Sequence, residues 1–264
     1  NGSNGTHNDI IHIAGDVYAL AYEGASNKAT ISTIKITSAG SVTNSSFVAT
    51  EEHDSNNGEQ NELVHLSQDK YVLFYKGQDG DGFAKVFKIT ANGETIEQLS
   101  STLEFEPNYY SEGSAVRMTD STLVFAWAGQ SYDGFIKTFN VASDGSTITE
   151  IQQREHDGSY GQYNSMVRVD EDTYVLSYNG FSNYGRVQTF TIPPDGSSIT
   201  EVANAAFSDN GYSYFNSLVQ VDHDTYLNAG YSYNTSGSSG YYGVLETFTI
   251  PTDGSTITLS LIHI

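Results

Sequence analysis

Two acidic residues, Asp9 and Glu62, stand at matching places in a repeated segment of the chain, each just before an apolar run. Two carboxylates that face each other across a sugar pocket, about 5 to 9.5 Å apart, can supply the acid and the base or nucleophile of glycoside hydrolysis. Either Glu106 or Glu112, shortly before the next such segment, could provide a third acid. The matching places further along hold Ser114, Ser165 and Ser217. Glycoside hydrolysis is therefore one hypothesis for this chain.

Ten of the nineteen tyrosines fall in two sets of connecting segments, among Asn, Asp, Ser and Gly. A pyranose has an apolar face that stacks on an aromatic ring and hydroxyls that hydrogen-bond, and Tyr combines an apolar body with a polar tip. We predict a ligand-binding face made by eight of them, with Tyr241 and Tyr242 beside it. The eight are Tyr109, Tyr110, Tyr132, Tyr160, Tyr163, Tyr184, Tyr212 and Tyr214. The alternative is that these rings pack between adjacent loops and order them.

Five polar residues directly follow an apolar position that recurs along the chain. They are His12, His65, Arg117, Arg168 and Gln220. If the recurring strand is innermost in the fold, these side chains could line a central channel and hold an anion or ordered water. The alternative is that they pair with neighbouring Asp or Tyr groups. Since only two of the five are His, no three-histidine metal site is expected, and no cofactor is predicted.

The segment Asp79-Gly80-Asp81-Gly82 favours a hairpin turn over a calcium loop.

These candidates depend on a repeat of about 52 residues. The shared apolar position falls at Ile11, Val64, Val116, Val167 and Val219. Asn-Gly or Asp-Gly between β-branched runs is a strong hairpin signal, and a turn of this kind recurs in every period. The turns are Ala39-Gly40, Asn92-Gly93, Asp144-Gly145, Asp195-Gly196 and Asp253-Gly254. Each period therefore predicts four short antiparallel strands, A to D, and no helix.

Four strands in each of five periods predict an all-β fold, a five-bladed β-propeller, and over its whole length the chain resembles proteins of that class. We predict a single domain, 1–264, with blades at approximately 8–60, 61–112, 113–163, 164–215 and 216–264, the last closed with 1–7. An open solenoid or a slice of a longer array is the alternative. The chain is also similar to propeller repeats of secreted or surface proteins of unassigned function. The resemblance to five-bladed propeller glycosidases, in architecture only, implies catalytic carboxylates near the inner rim, where Asp9 and Glu62 are expected.

Composition limits the partners. The 264 residues carry 32 acidic and 11 basic side chains, a formal charge of −21, which argues against nucleic acid and anionic lipid as partners. With no Cys, disulfides and thiolate sites are excluded. An apolar content of 38% is too low for membrane insertion. An acidic, Lys-poor chain rich in Ser, Thr, Asn, Gly and Tyr is typical of secreted proteins or of proteins from salty water, and we predict an extracellular or cell-surface location.

Three functions are open at this point. The first is a non-catalytic extracellular binding module that recognises carbohydrate through its D-to-A and B-to-C loops, at several similar sites whose avidity adds up. The second is a propeller glycoside hydrolase that uses Asp9 and Glu62. The third is a structural or protein-interaction domain of a larger surface protein. Because one fold serves many functions, the fold itself does not choose among them.

Overall fold

The computed structural model describes residues 6–42, 47–207, 211–234 and 240–260, and these residues form β-strands in chain order. Their bounds are as follows. Sheet 1 contains β1 (Thr6–Ala14), β2 (Val17–Glu23), β3 (Ala29–Lys35) and β4 (Ala49–Asp54); sheet 2 contains β5 (Glu59–Ser67), β6 (Lys70–Lys76), β7 (Gly82–Ile89), β8 (Ile96–Gln98) and β9 (Leu103–Glu106); sheet 3 contains β10 (Ser111–Arg117), β11 (Thr122–Ala128), β12 (Gly134–Val141) and β13 (Ile148–Asp157); sheet 4 contains β14 (Gln162–Arg168), β15 (Thr173–Asn179), β16 (Gly185–Thr191) and β17 (Thr200–Ala206); sheet 5 contains β18 (Gly211–Gln220), β19 (Thr225–Asn234), β20 (Gly240–Thr249) and β21 (Thr258–Ser260).

Each sheet has its strands in sequence order, the A-B-C-D pattern that the repeat predicts. In sheet 2 the D strand is divided, since β8 pairs with one end of β7 and β9 with the other. The fold is therefore all-β, a five-bladed β-propeller, as predicted. No helix in the described ranges is long and apolar enough to cross a membrane.

The turns between the C and D strands contain a glycine in the left-handed region. The φ angles are +76° at Gly40, +75° at Gly93, +80° at Gly145, +70° at Gly196 and +66° at Gly254. Glycine adopts such angles without a steric penalty, which explains the recurring Asn-Gly and Asp-Gly pairs. The predicted turn positions are confirmed.

The B and C strands of sheets 1 to 4 are joined by single turns of 3₁₀ helix. These turns are Ala25–Asn27, Gln78–Gly80, Gln130–Tyr132 and Phe181–Asn183. Asp79 and Gly80 lie in the second of them, consistent with a turn at this place. Within the described ranges, no group of three or more His, Cys, Asp and Glu side chains is placed to hold a metal ion.

The chain divides into two compact units. Unit 1 comprises Asn1–Tyr110, Thr119–Ser121 and Asn140–Thr149, and unit 2 comprises Ser111–Met118, Thr122–Phe139 and Glu150–Ile264. The core of unit 1 includes Tyr71, Tyr75 and Phe87. Unit 2 has one apolar cluster around Tyr174, Tyr178 and Phe190 and another around Tyr226 and Phe248. The recurring aromatic residues of strands B and C therefore form the core, as their period indicates.

Candidate functional site

A recurring backbone feature is a β-bulge at the start of every A strand. The pairing of the A and B strands slips there, and one non-glycine residue in the bulge has a left-handed backbone. These residues, called the left-handed column below, are His7 (φ 52°), Gln60 (51°), Glu112 (49°), Tyr163 (56°) and Phe215 (53°). A left-handed non-glycine residue costs free energy and persists where its surroundings hold it, often at a functional site. The recurrence makes this column the first place to look for function.

Asparagine side chains hold the bulges in place. Asn61 Nδ2 donates to the His7 carbonyl at 3.0 Å and to the Gly58 carbonyl at 2.7 Å. In the same way, Asn164 Nδ2 donates to the Glu112 carbonyl at 3.2 Å. These asparagines directly follow the next member of the column, so each one fixes the bulge of the preceding sheet. The β-bulge leaves a backbone carbonyl without a hydrogen bond from the paired strand, and the asparagine side chain supplies that hydrogen bond.

Sheet 3 has Gly113 where this asparagine would stand, and a tyrosine replaces it. Tyr110 Oη donates to the Gln60 carbonyl at 3.0 Å, and its fully buried ring packs edge-on against Phe105 with centroids 5.6 Å apart. The prediction that Tyr110 belongs to an exposed ligand-binding face is therefore wrong. Its hydroxyl takes over a structural hydrogen bond that Gly113 cannot make.

Asp9, one of the two predicted catalytic acids, also makes a structural contact. Its Oδ2 accepts the Leu63 N–H at 2.6 Å, while burial raises the pKa of the carboxyl against the opposing effect of hydrogen bonds from the Leu63 and Ile10 N–H groups. Serine does the same elsewhere: Ser114 Oγ accepts the Met166 N–H at 3.1 Å, and Ser165 Oγ accepts the Leu218 N–H at 2.9 Å. The position therefore ties successive A strands together.

The structure places Asp9 against β5, the strand that carries Glu62, because Leu63 directly follows Glu62. Glu62 is half-buried and lies opposite Phe74 in the β5–β6 ladder. Glu106 is buried, and its Oε1 accepts the Asn108 N–H of its own turn at 3.2 Å. Glu112 Oε2 accepts the Tyr163 N–H at 3.3 Å. The four acids named from the sequence thus lie in different surroundings.

Four of the five predicted channel residues donate to carbonyls in turns between A and B strands. His12 Nε2 donates to the Gly15 carbonyl and His65 Nε2 to the Gln68 carbonyl, each at 3.0 Å. Gln220 Nε2 donates to the His223 carbonyl at 3.3 Å. Arg168 donates to the Asp170, Glu171 and Met118 carbonyls, and Arg117 is exposed. Nitrogen donors at this position order a turn, a role that the sequence did not indicate.

Five aromatic rings of unit 2 form a continuous surface group, the aromatic cluster, which consists of Tyr163, Tyr214, Phe215, Tyr231 and Tyr241. Ring centroids are 4.7 Å apart for Tyr163 and Phe215, 5.4 Å for Tyr163 and Tyr214, 5.1 Å for Tyr214 and Tyr231, 5.6 Å for Phe215 and Tyr231, and 5.4 Å for Tyr231 and Tyr241. Phe215 is 61% exposed and Tyr241 70%. Exposed rings in mutual contact mark a binding surface more often than isolated ones do.

The remaining tyrosines of the predicted face are less concentrated. Tyr132, 42% exposed, stacks on Tyr160 with centroids 5.9 Å apart and an interplanar angle of 14°. Lys76 Nζ lies 4.9 Å from the centre of the Tyr109 ring. Tyr184 and Tyr242 are also exposed, and the side chain of Tyr212 lies outside the described part of the chain. The structure therefore brings Tyr163 and Tyr214 together and leaves the others apart from that group.

Two groups at the left-handed column were missed by reasoning from the sequence. Phe215 has no hydroxyl and was passed over among the tyrosines. In unit 1, His7 Nδ1 donates to Glu23 Oε2 at 3.0 Å, and the Glu23 side chain is only 8% exposed. The available signal was the alignment itself, since both His7 and Phe215 directly precede the asparagine position of the repeat.

Comparison with solved structures finds the same fold in enzymes. A periplasmic gluconolactonase from Pseudomonas aeruginosa is 13% identical, with a TM-score of 0.62 over 92% of this chain and 82% of that one. A candidate 6-phosphogluconolactonase from Bacteroides uniformis is 10% identical, with a TM-score of 0.63 over 95% and 68%. A candidate exo-β-1,3-galactanase from Bifidobacterium bifidum is 14% identical, with a TM-score of 0.53 over 95% and 89%. Identities this low show a shared fold and no more.

No protein-family model matches the sequence, and no curated protein sequence matches it either.

Proposed function

We propose that this protein binds carbohydrate at the aromatic cluster of unit 2. The observation that carries the proposal is the contact between two strongly exposed rings, Phe215 and Tyr241, and the half-buried Tyr231 between them. A pyranose can place its apolar face on such a surface, where each aromatic contact contributes beyond the area it buries. Tyr hydroxyls and the nearby Glu112 carboxylate supply polar contacts for sugar hydroxyls.

Hydrolysis of the bound carbohydrate by Asp9 and Glu62 is the second candidate function. The enzyme names of the proteins with the same fold lend more support to this alternative than to a module without activity. Burial raises the pKa of Asp9, and an upward shift of a carboxyl pKa is the direction that a general acid needs. The contact with Leu63 speaks for a structural role of the same carboxylate, so the two roles must be separated by experiment.

Location and partners follow from the same proposal. A surface dominated by carboxylates, with 32 acidic against 11 basic residues, supports an extracellular or cell-surface protein whose partner is a glycan. The same charge argues against nucleic acid.

A glycan array probed with the labelled protein tests the binding proposal. We expect retention on a defined set of glycans, and loss of that retention when either Phe215 or Tyr241 is changed to alanine. Phe181→Ala is the matched control, because Phe181 is 57% exposed in the same unit and outside the cluster. Retention that survives both cluster variants, or that is lost equally in the control, would contradict the proposal.

The catalytic alternative is tested on the glycans that the array retains. In Asp9→Ser a serine hydroxyl replaces the carboxylate, as Ser114 and Ser165 accept the N–H of the next A strand in other sheets. The variant should therefore fold, and it should lose turnover if Asp9 is catalytic. Glu62→Gln removes the second acid. Release of sugar by the parent protein and its loss in both variants would establish hydrolysis. If the parent protein leaves the glycans intact, hydrolysis is excluded and binding is the remaining function.

A further inference from the structure

The segment that carries most of the aromatic cluster has no basic side chain. After Arg186 the sequence contains no Lys or Arg, and it contains seven acidic residues. These are Asp195, Glu201, Asp209, Asp222, Asp224, Glu246 and Asp253. Four of the five cluster residues, all except Tyr163, come from this segment. The whole chain carries a formal charge of −21, so its long-range field favours a cationic ligand over an anionic one.

Three of the five basic side chains in unit 2 are held by acids or an amide. Arg154 pairs with Glu201 at 2.9 Å, Lys137 with Glu150 at 2.7 Å, and Arg186 donates to an amide oxygen. Lys137 and Arg186 thus bind partners on the neighbouring strand of the same sheet, and Arg154 binds a partner in sheet 4.

One carboxylate is held by the backbone of a cluster residue. Glu112 belongs to the left-handed column, its Oε2 accepts the Tyr163 N–H at 3.3 Å, and its carbonyl accepts Asn164 Nδ2 at 3.2 Å. The Tyr163 ring is 4.7 Å from the Phe215 ring. An anion held by the backbone of the residue that carries a cluster ring is a fixed feature of that surface.

We propose that the aromatic cluster selects carbohydrate that carries free amino groups, such as an oligomer of glucosamine; this rests on the proposed function. The faces of Tyr and Phe rings attract cations, and the effect adds to the stacking of the pyranose. Glu112 supplies the opposite charge for the ammonium group. An N-acetylated sugar keeps the apolar face and loses the cation, whereas an acidic sugar meets a repulsive field.

Titration calorimetry with three oligosaccharides of equal length tests this selectivity: β-1,4-linked glucosamine, its N-acetylated form and galacturonic acid. We expect the glucosamine oligomer to bind about tenfold more tightly than the acetylated one. The galacturonic acid oligomer should not bind. The preference should shrink at about 1 M salt, where charges are screened beyond about 3 Å.

Two pairs of variants separate a built site from diffuse attraction to an acidic protein. Glu112→Gln should bring the affinity ratio of the amino and acetylated oligomers close to one, and glutamine is compatible with this backbone because Gln60 occupies the same position. Glu155→Gln removes an exposed acid of the same unit and should keep the ratio. The double variant Phe215→Ala, Tyr241→Ala should lose both oligomers, whereas Phe181→Ala should bind both like the parent.

The outcomes distinguish the two proposals. Equal binding of the amino and acetylated oligomers to the parent protein, or an unchanged ratio in Glu112→Gln, overturns the selectivity and leaves carbohydrate binding in place. Binding of the amino oligomer by the double variant at parental affinity means attraction to charge alone and also overturns it. If neither oligomer binds, selectivity for amino sugars is wrong. Carbohydrate binding itself is then wrong if the glycan array is blank as well.

Discussion

Sheets 4 and 5 have the same strand order and are joined by the same asparagine and serine hydrogen bonds, but their B strands carry different side chains. All seven residues of β15 are buried, including Leu176 and Tyr178. In β19 the matching places hold Asn228 and Gly230, and Tyr231 stands in place of Asn179. Sheet 5 therefore has a polar side chain or none at two places where sheet 4 has buried apolar groups. The repeat keeps the positions that join strands and changes positions in and beside the aromatic cluster, such as Tyr231 and Gly230.

The interior of sheet 5 contains a hydrogen-bonded polar network instead. Asn228 Nδ2 donates to Asn216 Oδ1 at 3.1 Å, and Asn228 Oδ1 accepts Ser177 Oγ at 3.0 Å. Ser213 Oγ donates to Asn216 Oδ1 at 2.9 Å. Buried polar groups with partners cost little and specify one arrangement. The network thus fixes β18, the strand that carries Tyr214 and Phe215.

The two sheets also meet opposite kinds of titratable group. His156 packs edge-on against Tyr178 of sheet 4, with centroids 4.7 Å apart, and burial, together with the charge of Arg154, lowers its pKa to about 3. Glu246 lies in sheet 5, where burial raises its pKa to about 7 against the effect of a hydrogen bond from Asn228. One group resists gaining a proton and the other resists losing it, so the two sheets should respond to pH in opposite directions.

The largest expected effect is on the apolar interior of sheet 4. Tyr178→Ala removes a fully buried ring and should lower the free energy of unfolding by about 3–5 kcal/mol. Phe215→Ala removes a ring that is 61% exposed and should change it by less than about 0.5 kcal/mol. Urea denaturation of both variants measures the contrast. Similar losses in the two would mean that the rings of sheet 5 are structural.

We expect His156 to make the stability of the protein sensitive to acid. Its pKa is 6.5 when exposed and about 3 in the folded protein, so the unfolded chain binds an extra proton between these values and stability falls as pH drops through this range. His156→Phe, the residue that Phe207 supplies at the same place, should remove about 2–4 kcal/mol of that loss, at about 1.4 kcal/mol per pKa unit. Denaturation at pH 7 and pH 4 tests it. An unchanged pH slope would contradict the buried neutral histidine.

The opposite sign is expected for Glu246. Because its folded pKa lies near 7 and its usual value is 4.5, the folded state holds a proton longer, and stability is lost as pH rises from 4.5 through 7. Glu246→Gln, which copies Gln188 of sheet 4, should cancel about 2 kcal/mol of this loss. Thermal unfolding between pH 5 and pH 8 measures it. A variant that loses stability with rising pH as steeply as the parent would contradict the assignment.

A smaller effect than that of Tyr178→Ala is expected where the sheets agree. Asn61→Ala and Asn164→Ala each remove the donor to the carbonyl of a left-handed residue, His7 or Glu112, and each should cost about 1 kcal/mol. Hydrogen exchange at the two bulges reports the loss locally. A marked difference between the two variants would show that the clamp is not the shared device that the repeat indicates.

The sequence predicts the strands and turns well because their signals are local: a period of about 52 residues, β-branched runs and Gly at each C-to-D turn. The left-handed column carries no such signal, since its members are His, Gln, Glu, Tyr and Phe rather than Gly. Tyr110 was misplaced because its packing against Phe105 and its hydrogen bond to the Gln60 carbonyl leave no local pattern in the sequence. The contacts among Tyr163, Phe215 and Tyr231 join separate loops and depend on packing.

A crystal structure of the protein with the carbohydrate that binds most tightly tests the central claim directly. The account predicts a sugar ring in van der Waals contact with Phe215 and Tyr241, with Glu112 within hydrogen-bond distance of the ligand. A sugar bound beside Asp9 and Glu62, with the rings of the aromatic cluster unoccupied, would contradict it and assign the function to unit 1.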